Sequence, residues 1–486
     1  MKNVYFLIPI VCTLTFISCG KSKKQSLTVE NQEKAVIIAP KDSLQESKVV
    51  YNSAKAQPAL QKQSSGIGKR EINSSSPPVK LNLLKEDTEA KGIDLADYYK
   101  KVRYVKLKHP LSSRQGIFLA NTTIEVNFGN SMAFDYIGNP QVFFSDQDII
   151  AGDRYLGYHV YDLSGKFSYT LALPDKLPSF DKQQHHGYLQ ANGMKGEITD
   201  FSVFKETALI ATKEDGLYKM HLYNLKRRKG EYTTSYDKRP DIARLINRNE
   251  YISYNPLPDF KQRKAIWSVV NGIQGNIVSE FLSFNPILDP DEKVFTFPEY
   301  NIAYYYNDQL FLRQAFNDTI YKVQSPQTLE AVYILDTGNK KLTVKDAATA
   351  KTKDKLIFGF CLETNDFLYL HYSLDRDVPH MVETNQVKFR DYFFDKKDKH
   401  LYRIQMSTFP EGSIIKNSLK DTLPLKISDA RWNGRSLYAT YTKQQLGEIL
   451  RSNYFSELST SQQQKTREMY DSTNEDELVL MILERS

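Results

Sequence analysis

The sequence predicts an all-β fold, a six-bladed β-propeller, and three observations carry that expectation. Tyr and Phe are abundant, 31 and 26 residues respectively, and with the β-branched residues they suit pleated, half-buried strands. Sustained helical periodicity is missing until about residue 443. Residues 81–486 are many for one core and contain no second linker. That combination suits repeated units, each burying its face against a neighbour.

Strand, turn, strand units recur along this stretch, at residues 157–167, 217–226, 266–276, 318–323, 392–399 and 430–438. Each alternates apolar residues and turns through Asn, Asp, Gly or Lys, which is the pattern of an outer hairpin. Six units give six blades of about four strands. A propeller ring is sealed when strands from both chain ends share one blade, which also removes an exposed edge. Residues 102–107 and 478–483 are the expected sealing pair. Residues 443–450 and 461–470 read as helices inserted before the last strand, with Gly447 a cost to the first of them.

The N-terminus carries a different message. Met1-Lys2 is a short positive start, residues 4–16 are an apolar run, and Ser18 and Gly20 flank Cys19. This is a secretory leader, too short for a spanning helix. It resembles the bacterial lipoprotein lipobox, with Phe16 where Leu is usual. The resemblance implies a signal peptide over residues 1–18, acylation of Cys19, and a membrane partner reached through the lipid. Cys12 leaves with the leader, so Cys361 remains as a lone thiol in the apolar stretch 356–362, expected to be a buried small hydrophobe.

Residues 19–80 are rich in Lys, Ser, Gln and Ala and lack an apolar period, so they are expected to form a disordered tether. Between residues 20 and 80 there are eleven basic and five acidic side chains. With Lys2, that surplus accounts for the whole net charge of +7 and leaves residues 81–486 neutral. No nucleic-acid partner is expected, because a binding domain shows its basic patch on the folded body.

Three stretches carry a family resemblance: Ile93-Asp94-Leu95-Ala96-Asp97-Tyr98-Tyr99-Lys100-Lys101-Val102-Arg103-Tyr104-Val105-Lys106-Leu107; Asn317-Asp318-Thr319-Ile320-Tyr321-Lys322-Val323 with Asp336-Thr337-Gly338 after it; and Glu477-Leu478-Val479-Leu480-Met481-Ile482-Leu483. They resemble the six-bladed, TolB-like β-propeller lipoproteins of Bacteroidetes, a group of unknown function. The resemblance spans residues 81–486 and implies a scaffold without a chemistry. Two loops depart from that pattern. Gly193-Met194-Lys195-Gly196-Glu197 lacks the family's proline, and Asp421-Thr422-Leu423-Pro424-Leu425 is a reduced form of its aspartate-glycine turn.

No nucleophile elbow, zinc-protease helix, Walker loop or Cys-x-x-Cys pair is present. Residues 187–195 lack the lysine-hydroxyl ending of a phosphate loop. His185-His186 after Asp181 is the most metal-like pair, but adjacent residues of an extended chain do not face one ion, and a solvated loop is the better reading. Asp375-Arg376-Asp377 with His380 and Glu383 reads as a self-neutralising loop at a blade end. Asp289, Asp291 and Glu292 lack the ligand spacing of a calcium loop. Tyr304-Tyr305-Tyr306 suits either a stacking platform or packing between blades, and packing is the default. No metal and no cofactor are expected.

The functional expectation is a lipid-anchored envelope propeller, a monomer that serves as a binding or scaffold module for a protein or small ligand. The alternative is an extracytoplasmic hydrolase of glycans or peptides, using carboxylates at the channel. Gly20-Lys21-Ser22-Lys23-Lys24 is basic, and in the lipoproteins it resembles this favours the periplasmic face of the outer membrane.

Overall fold

The structure, a computed structural model, describes residues 66–71, 76–84, 90–108, 122–128, 131–137, 141–153, 157–172, 197–214, 217–236, 242–254, 265–283, 302–349, 352–374, 388–404, 418–425, 427 and 430–485. The chain divides into two units, Met1–Ser47 and Lys48–Ser486, and all described residues belong to the second.

The N-terminal part of that unit supplies five strands, β1 (Gly66–Ile67), β2 (Lys69–Glu71), β3 (Val79–Asn82), β4 (Ala90–Lys91) and β5 (Lys101–Lys108). A separate hairpin follows, β6 (Thr122–Phe128) and β7 (Ser131–Ile137). Blade 1 is β8 (Gln141–Phe144), β9 (Asp148–Asp153), β10 (Gly157–Asp162) and β11 (Phe167–Ala172). Blade 2 is β12 (Glu197–Phe204), β13 (Thr207–Glu214), β14 (Leu217–Asn224) and β15 (Lys229–Tyr236). Blade 3 is β16 (Ile242–Leu245), β17 (Glu250–Tyr254), β18 (Ala265–Asn271) and β19 (Ile277–Leu282). Blade 4 is β20 (Ile302–Tyr306), β21 (Gln309–Arg313), β22 (Thr319–Ser325) and β23 (Thr328–Asp336), followed by the short helix α1 (Val344–Ala348). Blade 5 is β24 (Leu356–Glu363), β25 (Phe367–Leu374), β26 (Lys388–Asp395) and β27 (His400–Ile404). Blade 6 holds β28 (Arg431–Trp432) and β29 (Leu437–Thr442), the helices α2 (Lys443–Arg451) and α3 (Thr460–Ser472), and β30 (Glu477–Glu484).

Blade 6 is closed by β5, which pairs antiparallel with β30 from Leu478 opposite Leu107 to Leu483 opposite Val102. All six residues 478–483 are buried, at most 1% exposed. A strand covered on both faces reads as a continuous apolar run, and that is how the sequence announces it.

The repeated turns have a local cause. At the start of the outer turn of blades 1, 2, 3 and 5 an Asp or Asn side chain accepts from backbone N–H groups two to four residues on: Asp162, Asn224, Asn271 and Asp395. Short side-chain acceptors of this type substitute for missing strand partners. The unit at 430–438 corrects the outer-hairpin expectation. Its two strands are the inner pair of blade 6, because the outer strand there comes from the N-terminus.

A second correction concerns the expected tether. β1 adds parallel to β19, β2 and β3 to β23, and β4 to β27. Strands β1 to β4 therefore form a belt along the outer edges of blades 3, 4 and 5, and β5 seals blade 6. Composition missed it because a strand that borrows a finished edge is held by main-chain hydrogen bonds and needs no apolar face of its own. Gly68, at the crossing from blade 3 to blade 4, donates its N–H to Glu280 O at 2.8 Å. A Cβ there would lie 2.3 Å from the ring of Phe281.

The two helices follow the expected bounds closely. Each opens with a capping box, Thr442 with Gln445 and Ser459 with Gln462. Gly447 earns its place by contact: a Cβ would sit 3.1 Å from the Tyr470 ring of α3.

Candidate functional site

The two ends of the ring differ. Turns joining first to second and third to fourth strands hold two to five residues, as at 205–206, 307–308 and 396–399. Connections leaving the other end include 173–196, 283–301, 337–355, 375–387, 405–430 and 443–476. α1, α2 and α3 all belong to that second set.

The tight-turn end is narrowed. Phe204 of blade 2 meets Tyr305 of blade 4, ring centroids 5.3 Å apart, although blade 3 lies between them in the ring. Lys205 and Asp308, from the same two blades, pair at 3.3 Å. The inner strands beneath are stitched together. A bulge after Ile198 turns Asp200 toward blade 3, where its carboxylate accepts from Ala243 N and Arg244 Nη1, each at 2.8 Å. Tyr305 Oη donates to Leu245 O at 2.9 Å. Arg485, following β30, donates to Asp366 in the first turn of blade 5. Side-chain contacts thus cross this end, and the opposite end is the one built from long connections.

One polar group stands near the long-connection end of blade 5. His371 on β25 faces Asp391 on β26, with Nδ1 to Oδ1 at 2.7 Å. Tyr369 Oη donates to the other carboxylate oxygen at 2.7 Å. Asp391 is fully buried, and the His371 side chain keeps 16% exposure. The imidazole lies between Phe360 and Phe389, each 4.9 Å away and tilted 31°. Gly359, in a bulge of β24, lets the ring approach: a Cβ would lie 2.7 Å from His371 Cδ2. Nδ1 is committed to Asp391, and Nε2 has no hydrogen bond among the described residues. An imidazole fixed this way is oriented to accept or pass a proton.

A denser network lies between blades 4 and 5. The Glu363 carboxylate accepts from Lys396 Nζ at 2.7 Å, Tyr333 Oη at 2.7 Å and Tyr304 Oη at 2.6 Å. Lys396 also donates to Thr364 O at 2.7 Å and lies 3.8 Å from the centre of the Tyr306 ring. Burial, reinforced by the Glu363 charge, holds the Tyr304 and Tyr333 hydroxyls far above the ordinary tyrosine range, so both remain donors. Burial and the same carboxylate push the Cys361 thiol up. It stays protonated and unreactive, in keeping with a packed hydrophobe.

Of the residues singled out in the sequence, Tyr304, Tyr305 and Tyr306 all serve packing between blades. Asp421 to Leu425 does likewise: Leu423 and Leu425 are buried, Tyr104 Oη donates to Asp421 O at 2.7 Å, and Tyr441 Oη donates to Pro424 O at 2.8 Å. Cys19, Asp181, His185, His186, the 187–196 loop, Asp289, Asp291, Glu292, Asp375, Arg376, Asp377, His380 and Glu383 lie outside the described residues. Among the described residues no group of three or more His, Cys, Asp or Glu is placed to hold a metal ion, and no helix is long and apolar enough to cross a membrane. His371, Asp391, Glu363 and Lys396 were not singled out. The available signal was a polar residue at an inward position of an apolar strand, as His371 is within Phe367-Leu368-Tyr369-Leu370-His371-Tyr372.

The profile of a domain of unknown function, DUF4933, matches residues 64–452. The chain belongs to the DUF4933 family. The match begins two residues before β1, so the belt is part of the DUF4933 domain, and it ends just past α2, before the sealing strand β30. No curated protein sequence matches the chain. Among solved structures it is similar to a Bacteroides fragilis NCTC 9343 protein described as a "Putative exported protein", with 11% identity, TM-score 0.48, and 84% of this chain and 99% of the other covered. It is also similar to BamB from Moraxella catarrhalis, with 11% identity, TM-score 0.30, and 62% and 71% covered. A third is the β-propeller domain of the Trilobed protease from Pyrococcus furiosus, with 11% identity, TM-score 0.32, and 64% and 80% covered. At such identities and scores these likenesses say nothing about activity.

Proposed function

We propose that this DUF4933 chain is a lipid-anchored envelope propeller that binds a protein or small ligand at the long-connection end of its ring. The observation that carries the reading is the asymmetry of the ring. Blades 2 and 4 touch at the tight-turn end, while the long connections and the three described helices leave from the other. Loops on a rigid scaffold are where propellers place recognition. The leader ending at Cys19 supports export and acylation, and the basic residues Lys21, Lys23 and Lys24 support a periplasmic-facing outer-membrane anchor.

The anchor is tested by mass spectrometry of the mature N-terminus, where an acylated Cys19 is expected and Cys19→Ala abolishes membrane retention. The binding end is tested by photo-crosslinking in intact cells from single sites, Lys345 and Glu448 at one end and Lys226 and Gln327 at the other. Adducts are expected from the first pair. Adducts confined to the second pair, or none at all, overturn the assignment.

A second reading, an extracytoplasmic hydrolase of glycans or peptides, draws on His371, whose orientation by Asp391 and Tyr369 suits proton transfer. It requires turnover of a glycan or peptide panel that His371→Asn abolishes without unfolding the ring.

A further inference from the structure

At the outer edge of the ring, a cavity of about 470 Å³ lies between blades 4 and 5. One wall is the belt strand β3, a second is the outer strand β23, and the third is the turn from β26 into β27. Its volume is within the range of small-molecule sites, roughly 300–1,000 Å³.

The lining combines two chemistries. Val79, Leu81, Tyr333 and Phe394 give it apolar walls, and Val79 is one of the few large apolar side chains left exposed, at 40%. Lys80, Lys396 and Lys399 contribute the charged groups, and no carboxylate is among the described lining residues. His400 borders the space by its backbone position only, since its ring lies on the opposite face of β27, 4.5 Å from that of Tyr402. Two of the three lysines are already spoken for. Lys80 pairs with Asp336 at 2.9 Å, and Lys396 is held by Glu363 at 2.7 Å. Lys399 is different: it sits at φ +56° in the tip of the turn and has no ion-pair partner among the described residues. The neighbouring Asp398 turns away, its carboxylate accepting from Tyr402 Oη and from His400 N, each at 2.8 Å.

We propose that this cavity binds an organic anion, an apolar body seated against Val79 and Phe394 with its charged head at Lys399. Such a ligand touches the belt and blade 5 at once. It therefore holds β3 in place as it binds, so that occupancy and belt docking reinforce each other.

The test uses phenyl phosphate as the probe on the full chain extracted in detergent, with inorganic phosphate and phenol as the separated head and body. Titration calorimetry is expected to give one saturable site, at least tenfold tighter for phenyl phosphate than for either fragment. Hydrogen exchange at residues 79–82 slows on binding. Lys399→Glu and Val79→Asp, both at exposed positions, each weaken the probe at least tenfold with unchanged thermal unfolding. Lys397→Glu, in the same turn but outside the lining, leaves it unchanged. Equal affinity for inorganic phosphate, equal losses for Lys397→Glu and Lys399→Glu, or no saturation would each overturn the proposal.

Discussion

Replacing Glu363 with alanine removes the acceptor on which three side chains from two blades converge. Its side chain is 1% exposed and that of Lys396 is 16% exposed, so neither is rescued by bulk water. Deleting one member of a buried ion pair costs about 3–5 kcal/mol because the other charge is stranded. Each of the two tyrosine hydroxyls left without an acceptor adds about 1–3 kcal/mol before relaxation. Lys396 retains Thr364 O and the Tyr306 ring, which offsets part of the loss. The expected total is about 5 kcal/mol, a large fraction of a typical folding free energy. Glu363→Gln keeps an acceptor and loses the charge, so about half that cost is expected. The double variant Glu363→Met with Lys396→Met strands no charge and recovers to within about 2 kcal/mol of the parent. Urea unfolding followed by tyrosine fluorescence and far-ultraviolet circular dichroism measures these proteins, and adding the single variants Glu363→Met and Lys396→Met completes the double-mutant cycle that isolates the pair. A cost below about 1 kcal/mol for Glu363→Ala, or a coupling below about 0.5 kcal/mol, would refute the reasoning.

Other expectations follow from single contacts. Gly68→Val drives a side chain into the buried Phe281 ring and is expected to raise proteolysis around residues 66–71 while the β5–β30 seal stays protected from hydrogen exchange; uniform protection would contradict it. Gly165 lies at φ +92°, and its Cβ would fall 2.4 Å from Lys106 O on the sealing strand, so Gly165→Ala should cost about 1–3 kcal/mol in denaturant unfolding. His221, bonded at both ring nitrogens to Thr212 and Thr233, has its pKa lowered to about 4 by burial. The unfolded chain binds the extra proton first, so stability should fall as pH drops from about 6.5 toward 4 and then level. The parent should lose up to about 3 kcal/mol more than His221→Gln across that window, and parallel curves would rule this out. Cys361 should resist thiol reagents until the ring unfolds, with labelling rate tracking denaturant concentration.

The elements most plainly written in the sequence are those whose signal is local. Residues 478–483 are apolar at every position, the Asp and Asn turn residues recur at one place in the outer hairpins, and the two helices carry their capping residues. The belt was not legible, because Gly66–Ile67 and Lys69–Glu71 are strands only by virtue of the edges they meet. The polar groups were hidden for a related reason. Glu363 and Lys396 are more than thirty positions apart, and His371 and Asp391 twenty, so strand register alone brings them together. Sequence patterning shows that a position faces inward; it does not show what else faces the same point.

The belt also decides how the ring responds to a pull. Tension entering from residues N-terminal to β1 meets the two residues of β1 first, then the three of β2, the four of β3 and the two of β4. Only after those short attachments have peeled does the load reach the eight-residue β5 that keeps the circle shut. Strands β1 to β4 thus act as a row of mechanical fuses in series, each giving way before the ring itself has to open.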